Sequence, residues 1–226
     1  DVDMLNLLSQ QVLMKGRSFQ DKLNMTYLTT CALASSSKLP EASAKGVEIL
    51  SQLGITLPQM SMESCIRDTK YLLANYSDDE ILNTRQMTDP NMIMAMKFLG
   101  KLIRGMTQIM PKSVASVTQI IIQLSLLHGM SPVSPIGFAH FGSIIAKLGD
   151  VRGGHHYVKL ALSLLDKVGS RESAGEVICF ATHVRAYLEP LQSVLEYFSA
   201  KSLIRIAASV AIFFIPSLSC LKTTFL

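Results

Sequence analysis

Cys179 and His183 come nearest in this chain to a catalytic pair. They lie four residues apart in a predicted helix, so their side chains share one face. An imidazole beside a thiol can take its proton and leave a nucleophilic thiolate. The sequence supplies no third member and no oxyanion hole, and it contains neither GxSxG, nor HExxH, nor the signatures of a kinase domain. We therefore predict no catalytic residue, and we keep a small helical enzyme built on this pair as an alternative.

The histidines lack the spacing of a metal site. Ligands on one helix must lie three or four residues apart to face the same way, and no two of the five histidines do. His155 and His156 are adjacent and point about 100° apart. We predict no bound metal, and we expect the histidines at helix surfaces or in grooves.

A glycine-rich run, Gly149-Asp-Val-Arg-Gly-Gly154, precedes a predicted helix, which is where an anion can bind. It follows no predicted strand and lacks the lysine of a phosphate loop. The turn of a helical hairpin explains the run better, with Gly149 in the turn and Gly154 as a packing residue. No nucleotide or other cofactor is expected.

The cysteines and methionines indicate packing. Cys31, Cys65, Cys179 and Cys220 form no CxxC pair and lie in apolar helical patterns, which predicts buried thiols in a reducing, cytoplasmic compartment. Six methionines between residues 87 and 110 could line an adaptable groove, but core packing is the stronger interpretation.

The helices that carry these residues form a recognisable hairpin at residues 136–165. An apolar helix ends at Leu148, a turn follows, and Gly154 and Ala161 lie seven residues apart on the next helix. Small residues there allow two antiparallel helices to approach closely, as in a tetratricopeptide-like hairpin. Ala42 and Ile49 repeat the same spacing earlier in the chain. Because such a hairpin must stack on neighbours to cover its apolar face, we predict an all-α, tetratricopeptide-like superhelix of about five hairpins.

Apolar periodicity and capping residues give the helix boundaries. No strand alternation or βαβ rhythm is present. Helices are predicted over residues 2–15, 19–36, 39–53, 62–76, a short turn to 83, 90–105, 113–128, the 136–165 pair, 171–187 and a short stretch after Pro190.

Composition bounds the class of protein. Of the 226 residues, 49% are hydrophobic and 17% charged, which excludes general disorder. The net charge of +4 is concentrated after residue 80, yet no Lys/Arg run with interleaved aromatic residues accompanies it, so we expect no nucleic-acid partner. The first residue is Asp1, which suggests a fragment of a longer protein.

The chain is expected to contain a helical repeat region over residues 1–200 and an apolar tail over residues 201–226. The uninterrupted apolar stretch from Ile206 to Ile215 is too short to span a bilayer alone. Three interpretations of the tail stay open: a buried capping helix, a membrane anchor through residues 203–221, and a non-native end from a truncated gene product.

Four sequence motifs, taken in their order along the chain, resemble those of a known family. They are residues 39–58 (KLxEAxxxGxxxLxxLGxxLP), the Met87-Thr-Asp-Pro90 start with Ala95, Met96 and Leu99, the 136–165 hairpin, and residues 185–191 (RxWxEPL). Together they resemble the helical region of large multidomain signalling ATPases, in which a kinase-like domain and an AAA/STAND-type ATPase precede this region. Tyr187 stands where that family usually has Trp, Ala186 where a His is common, and Val158 where a small residue is frequent.

This resemblance covers roughly residues 1–200 and implies a role in signal transduction. It carries no catalytic residue into the chain, because the ATPase and kinase motifs lie outside the matched region. The predicted function is therefore a non-catalytic scaffold or regulatory module that binds a protein partner or an adjacent ATPase or kinase domain. The alternatives are a membrane-associated helical protein, a truncated gene product and the small enzyme.

Overall fold

The computed structural model describes residues 18–200, and over these residues the chain is all-helical, as predicted. The predicted helix over residues 2–15 and the apolar tail lie outside the described residues. The helices are α1 (Phe19–Ser35), α2 (Leu39–Gln52), α3 (Met62–Leu73), α4 (Asp78–Leu82), α5 (Pro90–Ile109), α6 (Val114–His128), α7 (Ser134–Lys147), α8 (Val151–Val168), α9 (Arg171–Arg185) and α10 (Leu191–Ala200), with a 3₁₀ turn at Pro111–Ser113.

Short polar residues begin several helices at the predicted positions. Ser18 caps α1 by accepting a hydrogen bond from the Asp21 amide at 3.0 Å. Ser77 and Glu80 form a reciprocal capping box at the start of α4. Asp89 caps α5 by accepting from the amide two residues on, at 2.8 Å. These starts depend on local hydrogen bonds, and the sequence therefore locates them well.

Helix ends agree less well with the sequence. α3 ends at Leu73 and α9 at Arg185, earlier than predicted, whereas α5 continues four residues past the predicted stop at Gly105. Gly105 does not end α5, because it faces α2 instead: a Cβ there would lie 3.1 Å from the Ser43 hydroxyl. The helix continues until Pro111 opens the next turn.

The chain divides into two compact units, with the boundary between Gly137 and Phe138. In the first unit α1 and α2 form a hairpin, and α5 packs against both. α5 runs antiparallel to α2, because Gly46 faces Leu102 while Ser43, earlier in α2, faces Gly105, later in α5. α5 therefore runs in the direction of α1.

α6 packs on α5, and α3 packs on α6 rather than on its sequence neighbour α2. Cys65 of α3 lies 3.4 Å, Sγ to Oγ, from Ser116 of α6 in the core. α4 has only five residues. The segment of α3 and α4 thus departs from the predicted architecture, in which successive helices pair as stacked hairpins. The fully buried large side chains of this unit include Leu23, Leu50, Ile81, Met96, Phe98, Leu99, Ile103, Ile121 and Ile122.

In the second unit the part of α7 from Phe138 onward and α8 form an antiparallel pair. Gly142 of α7 meets Val158 of α8, and Ala146 meets Gly154, so the contacts run in opposite directions along the chain. α9 packs along α8, and α10 contacts α9. The left-handed Gly169, with φ of +64°, ends α8. The core residues of this unit include Phe138, Phe141, Val158, Ala161, Leu164, Val177, Ala181 and Val184.

Candidate functional site

α7 and α9 lie side by side and run in the same direction. The His140 ring meets the Glu176 carboxylate, with Nε2 2.7 Å from Oε1. Seven residues later on each helix, the charge of Lys147 acts on His183. One contact and one electrostatic interaction, in the same order along both helices, indicate this parallel arrangement. Each unit therefore contains a helix, its antiparallel partner and a third helix parallel to the first: α1, α2 and α5, then α7, α8 and α9.

His140 is buried, which corrects the expectation that the histidines lie at helix surfaces or in grooves. Its side chain is 3% exposed and its ring lies 4.1 Å, between centroids, from that of Phe180. A buried imidazole needs a polar partner, and the Glu176 carboxylate provides one. The apolar neighbours of His140 in the sequence could have indicated its burial, but nothing local identifies an acid 36 residues away.

The Cys179–His183 pair has the wrong electrostatics for a nucleophile. Burial, assisted by the negative charge of Glu176, raises the pKa of the Cys179 thiol to about 11. Burial, assisted by Lys147, lowers the pKa of His183 below its usual value. Both shifts favour the uncharged forms, so the site opposes the thiolate–imidazolium pair that cysteine catalysis uses.

The carboxyl-terminal ends of α7 and α9 present apolar side chains to solvent. The His183 ring meets Tyr187 edge-on, with centroids 5.5 Å apart and the Tyr187 hydroxyl 3.4 Å from Nε2. Leu148, Tyr187 and Leu188 are 57%, 53% and 49% exposed. We call these three residues the α7–α9 end patch. Exposed apolar side chains that lie near one another are typical of protein contact sites.

A second polar group joins α8 to the segment that follows α9. One oxygen of Glu189 accepts from Arg185 at 2.6 and 2.9 Å, and the other lies 2.7 Å from Nε2 of His155. The hydrogen bonds from Arg185 and His155 hold the pKa of Glu189 at about 2. The Arg185 guanidinium also lies 4.9 Å from the centroid of the Tyr197 ring, on α10. This group, which we call the Glu189 clamp, fixes the turn between α9 and α10.

The predicted packing residues of the hairpin lie in different environments. Gly154 packs against α7, since a Cβ there would lie 2.5 Å from the Gly142 carbonyl oxygen. Ala161 is fully buried. Gly149 has a φ of +102°, and nothing lies within 4 Å of where its Cβ would be. Asp150 caps α8 through the Gly153 amide at 3.0 Å, so a carboxylate occupies the place where a phosphate would bind.

The other predicted packing residues divide between core and surface. Ala42 and Ile49 of α2 are buried. The close approach between α2 and α5 is nevertheless made at Gly105, which the sequence reasoning missed. Tyr187 and Pro190 are exposed.

The methionine-rich stretch belongs mainly to the core. Four of its six members, Met87, Met94, Met96 and Met106, are buried, and Met110 is 52% exposed. These buried side chains cannot line an open groove, so core packing describes them.

Within residues 18–200, no group of three or more His, Cys, Asp or Glu side chains could hold a metal ion. No helix in the same part of the chain is both long and apolar enough to cross a membrane. The stretch over residues 203–221, the possible anchor, lies outside the described residues. In comparisons with known proteins, no family model, curated protein or solved structure matches the chain.

Proposed function

We propose that the chain is a non-catalytic helical scaffold, a regulatory or interaction module that binds a protein partner or a neighbouring ATPase or kinase domain in signal transduction. The observation that carries this proposal is the parallel helix pair α7 and α9, whose ends expose the α7–α9 end patch. The exposed apolar residues at the ends of these two helices give a partner apolar surface to bury.

The finer architecture that we propose is tetratricopeptide-like. In such arrays the first helix of one hairpin lies parallel to the first helix of the next, and the second helix lies antiparallel to both. The arrangement of α1, α2 and α5 in one unit and of α7, α8 and α9 in the other supports this proposal. α3 and α4 are then an insertion between two hairpins of the array.

Binding to a purified partner tests the function. The immobilised full chain is used to capture proteins from cells after cross-linking, and a captured ATPase or kinase is then purified and titrated by calorimetry. Replacing both Leu148 and Tyr187 with Ser removes apolar area at the patch, and we expect at least about tenfold weaker binding, because two anchor side chains are lost.

The matched control is the double variant Tyr71→Ser and Leu127→Ser, which removes two apolar side chains that are 78% and 71% exposed in the other unit. It should leave the affinity within about twofold, since isolated surface residues contribute little. If the patch variant and the control bind the purified partner equally well, or if no ATPase or kinase binds at all, the proposed function is wrong.

The enzyme alternative receives no support from the site, because the Cys179 thiol is held protonated. We also propose an intracellular location, which the free thiols of the described cysteines favour.

A further inference from the structure

The α7–α9 end patch has a basic margin. Lys147 directly precedes Leu148, and His183 lies one helical turn before Tyr187, whose ring it contacts. Lys147 is exposed and His183 is half-buried. The charge of Lys147 acts on His183, so the two basic side chains lie near each other. We call these two residues the basic pair. Basic and apolar side chains therefore meet at one place on the second unit.

No carboxylate of residues 18–200 acts on the basic pair. Partial burial lowers the pKa of Lys147, and burial together with the charge of Lys147 lowers the pKa of His183. A carboxylate close to either side chain would raise these pKa values instead. The ammonium group of Lys147 is thus partly removed from water, and among the described residues it has no acidic partner.

The acidic side chains of the neighbouring helices are engaged elsewhere or lie too far away. α7 contains none. Asp150, Glu176 and Glu189 have the hydrogen-bond partners described above. Glu196 of α10 accepts a hydrogen bond from Gln192 at 3.0 Å. The remaining two are at the opposite ends of α8 and α9, about 16 Å or more from the basic pair along the helix axes. These two are Asp166 and Glu172.

The ends of α7 and α9 have few unpaired carbonyl groups that would repel an anion. The amides of residues 148–150 donate to carbonyl oxygens of the last turn of α7 at 3.0–3.2 Å. The amides of residues 187–189 donate in the same way to the last turn of α9 at 2.8–3.2 Å. Unpaired carbonyls give a helix end its partial negative charge, so this pairing reduces the repulsion.

We propose that the α7–α9 end patch and the basic pair together bind a segment of a protein partner in which one carboxylate lies among apolar side chains. The proposal rests on the proposed function and gives the chemistry of the partner. The carboxylate accepts hydrogen bonds from the Lys147 ammonium and from an N–H of the His183 ring. The neighbouring apolar side chains cover Leu148, Tyr187 and Leu188.

The carboxylate is needed because of where Lys147 lies. A wholly apolar partner that covers Leu148 would also remove more water from the adjacent ammonium group, and a buried charge without a counter-ion is costly. His183 and Tyr187, four residues apart, are about 6 Å apart on the helix. Alternate residues of an extended strand are about 6.6 Å apart. An acidic residue and its second neighbour can therefore contact the basic pair and Tyr187 together.

Fluorescence anisotropy with the full chain tests the proposal. The probes are short fluorescein-labelled peptides in which one Glu lies between two apolar residues, Leu, Ile or Phe in turn, in a background of Ser. Each probe has a matched peptide with Gln in place of Glu. We expect at least one Glu peptide to bind, about fivefold more tightly than its Gln counterpart, because a hydrogen bond to a charged acceptor is stronger than one to an amide.

Two substitutions at Lys147 separate its charge from its packing. Lys147→Gln should abolish the preference for the Glu peptide to within about twofold, because the charge that produces the preference is gone. Lys147→Glu should weaken the Glu peptide by at least about tenfold, since an attraction becomes a repulsion, and should change the Gln peptide by no more than about threefold. Circular dichroism and thermal unfolding establish that both variants are folded.

The matched control is Arg171→Glu, which changes the net charge equally on α9. Arg171 is exposed and lies twelve residues before His183, about 18 Å away along the helix. Exposed charges act over about 10 Å at moderate salt, so the control should alter the affinity of the Glu peptide by no more than about twofold.

Four results would overturn the proposal: no binding of any Glu peptide, equal binding of the Gln peptides, a preference for Glu that persists in Lys147→Gln, or equal weakening by Arg171→Glu. Self-association of the chain in sedimentation, lost in the variant Leu148→Ser with Tyr187→Ser, would also overturn it and identify a contact between copies instead. If the partner from the calorimetric titration binds Lys147→Glu as it binds the wild type but is lost on the Leu148/Tyr187 variant, only the carboxylate proposal fails.

Discussion

Single residues in the second unit show how burial and neighbouring charges set the chemistry of a side chain. Cys179 and Glu189 are both acids on or just after α9, yet their pKa values move in opposite directions. Cys179 is half-buried beside the negative charge of Glu176, whereas Glu189 accepts hydrogen bonds from Arg185 and His155. The sequence places Cys179 near His183 but says nothing of Glu176 or Lys147, which decide their charge. The spacing of Cys179 and His183 therefore suggests a catalytic pair, and only the burial and charges around the two side chains argue against it.

The raised pKa of Cys179 makes its thiol slow to react. With a pKa of about 11, the thiolate fraction at neutral pH is about a hundredfold below that of an ordinary cysteine. We expect alkylation of Cys179 by iodoacetamide to be slower by about that factor in the folded protein and ordinary in urea, as followed by peptide mass spectrometry. Native alkylation at or above the rate of a free thiol would restore the enzyme alternative.

The lowered pKa of Glu189 makes its contribution to stability depend on pH. A carboxyl whose folded pKa is depressed stabilises the protein above its unfolded pKa, and this stabilisation is lost as the pH falls through the folded value. We expect Glu189→Gln to lower the free energy of unfolding by about 1 kcal/mol at pH 7, a modest value because the side chain is partly exposed. The difference from the wild type should shrink as the pH falls from about 4.5 to about 2.

Urea titrations at several pH values measure this difference. Glu48→Gln is the control, because the exposed Glu48 has only a 3.5 Å contact with Gln52. Its effect should stay within about 0.5 kcal/mol at every pH. A difference for Glu189→Gln that does not change with pH would contradict the ion-pair role of the clamp.

At the scale of elements, the sequence predicts where helices begin better than it predicts which helices pack together. The starts of α1, α4 and α5 follow from caps within a few residues, and these are predictable. The packing of α3 on α6, and of α5 on α2, depends on surfaces that are distant in the chain. Gly105 illustrates the difference, because a glycine looks like a helix stop locally and is an interface residue in the fold.

The contact between α7 and α8 depends on Gly154. A Cβ there would lie 2.5 Å from the Gly142 carbonyl oxygen and 2.6 Å from the Ala146 Cβ, which is closer than packed atoms come. We expect Gly154→Ala to lower the free energy of unfolding by about 1–3 kcal/mol, because the helices must separate. Gly46→Ala is the matched control: its nearest neighbour would be Leu102 at 3.7 Å, an ordinary contact.

Because alanine favours a helix interior by about 0.5–1 kcal/mol over glycine, Gly46→Ala should stabilise the protein. Chemical denaturation of both variants measures whether each substitution raises or lowers the free energy of unfolding. A stabilising Gly154→Ala would contradict the close approach of α7 and α8.

At the scale of the whole chain, each of the two units has its own core and its own aromatic contact. Phe98 meets Tyr27 in the first unit, and Phe141 meets Tyr157 in the second, with centroids 4.9 Å apart. Alternating apolar faces in the sequence predict that most helices are buried on one side, but they do not show that the core divides near residue 137. That division depends on which faces meet, which is a tertiary property.

Two conservative core substitutions test the division. Phe98→Leu and Phe141→Leu should each lower the free energy of unfolding by about 1–2 kcal/mol, since each leaves a small cavity and removes a ring contact. Hydrogen exchange should lose protection mainly in α1, α2, α5 and α6 for the first variant and in α7, α8 and α9 for the second. Equal loss throughout both units for either variant would contradict two separate cores.

The packing of α3 on α6 has a consequence during synthesis. Cys65 meets Ser116, and 51 residues separate them in the chain. At about 5–20 residues per second, the ribosome needs about 3–10 s to add that length. Throughout that interval the apolar face of α3, with Cys65, Ile66 and Leu73, has no α6 to cover it. A nascent chain stalled before α6 therefore exposes the apolar face of α3, a surface that a chaperone can bind.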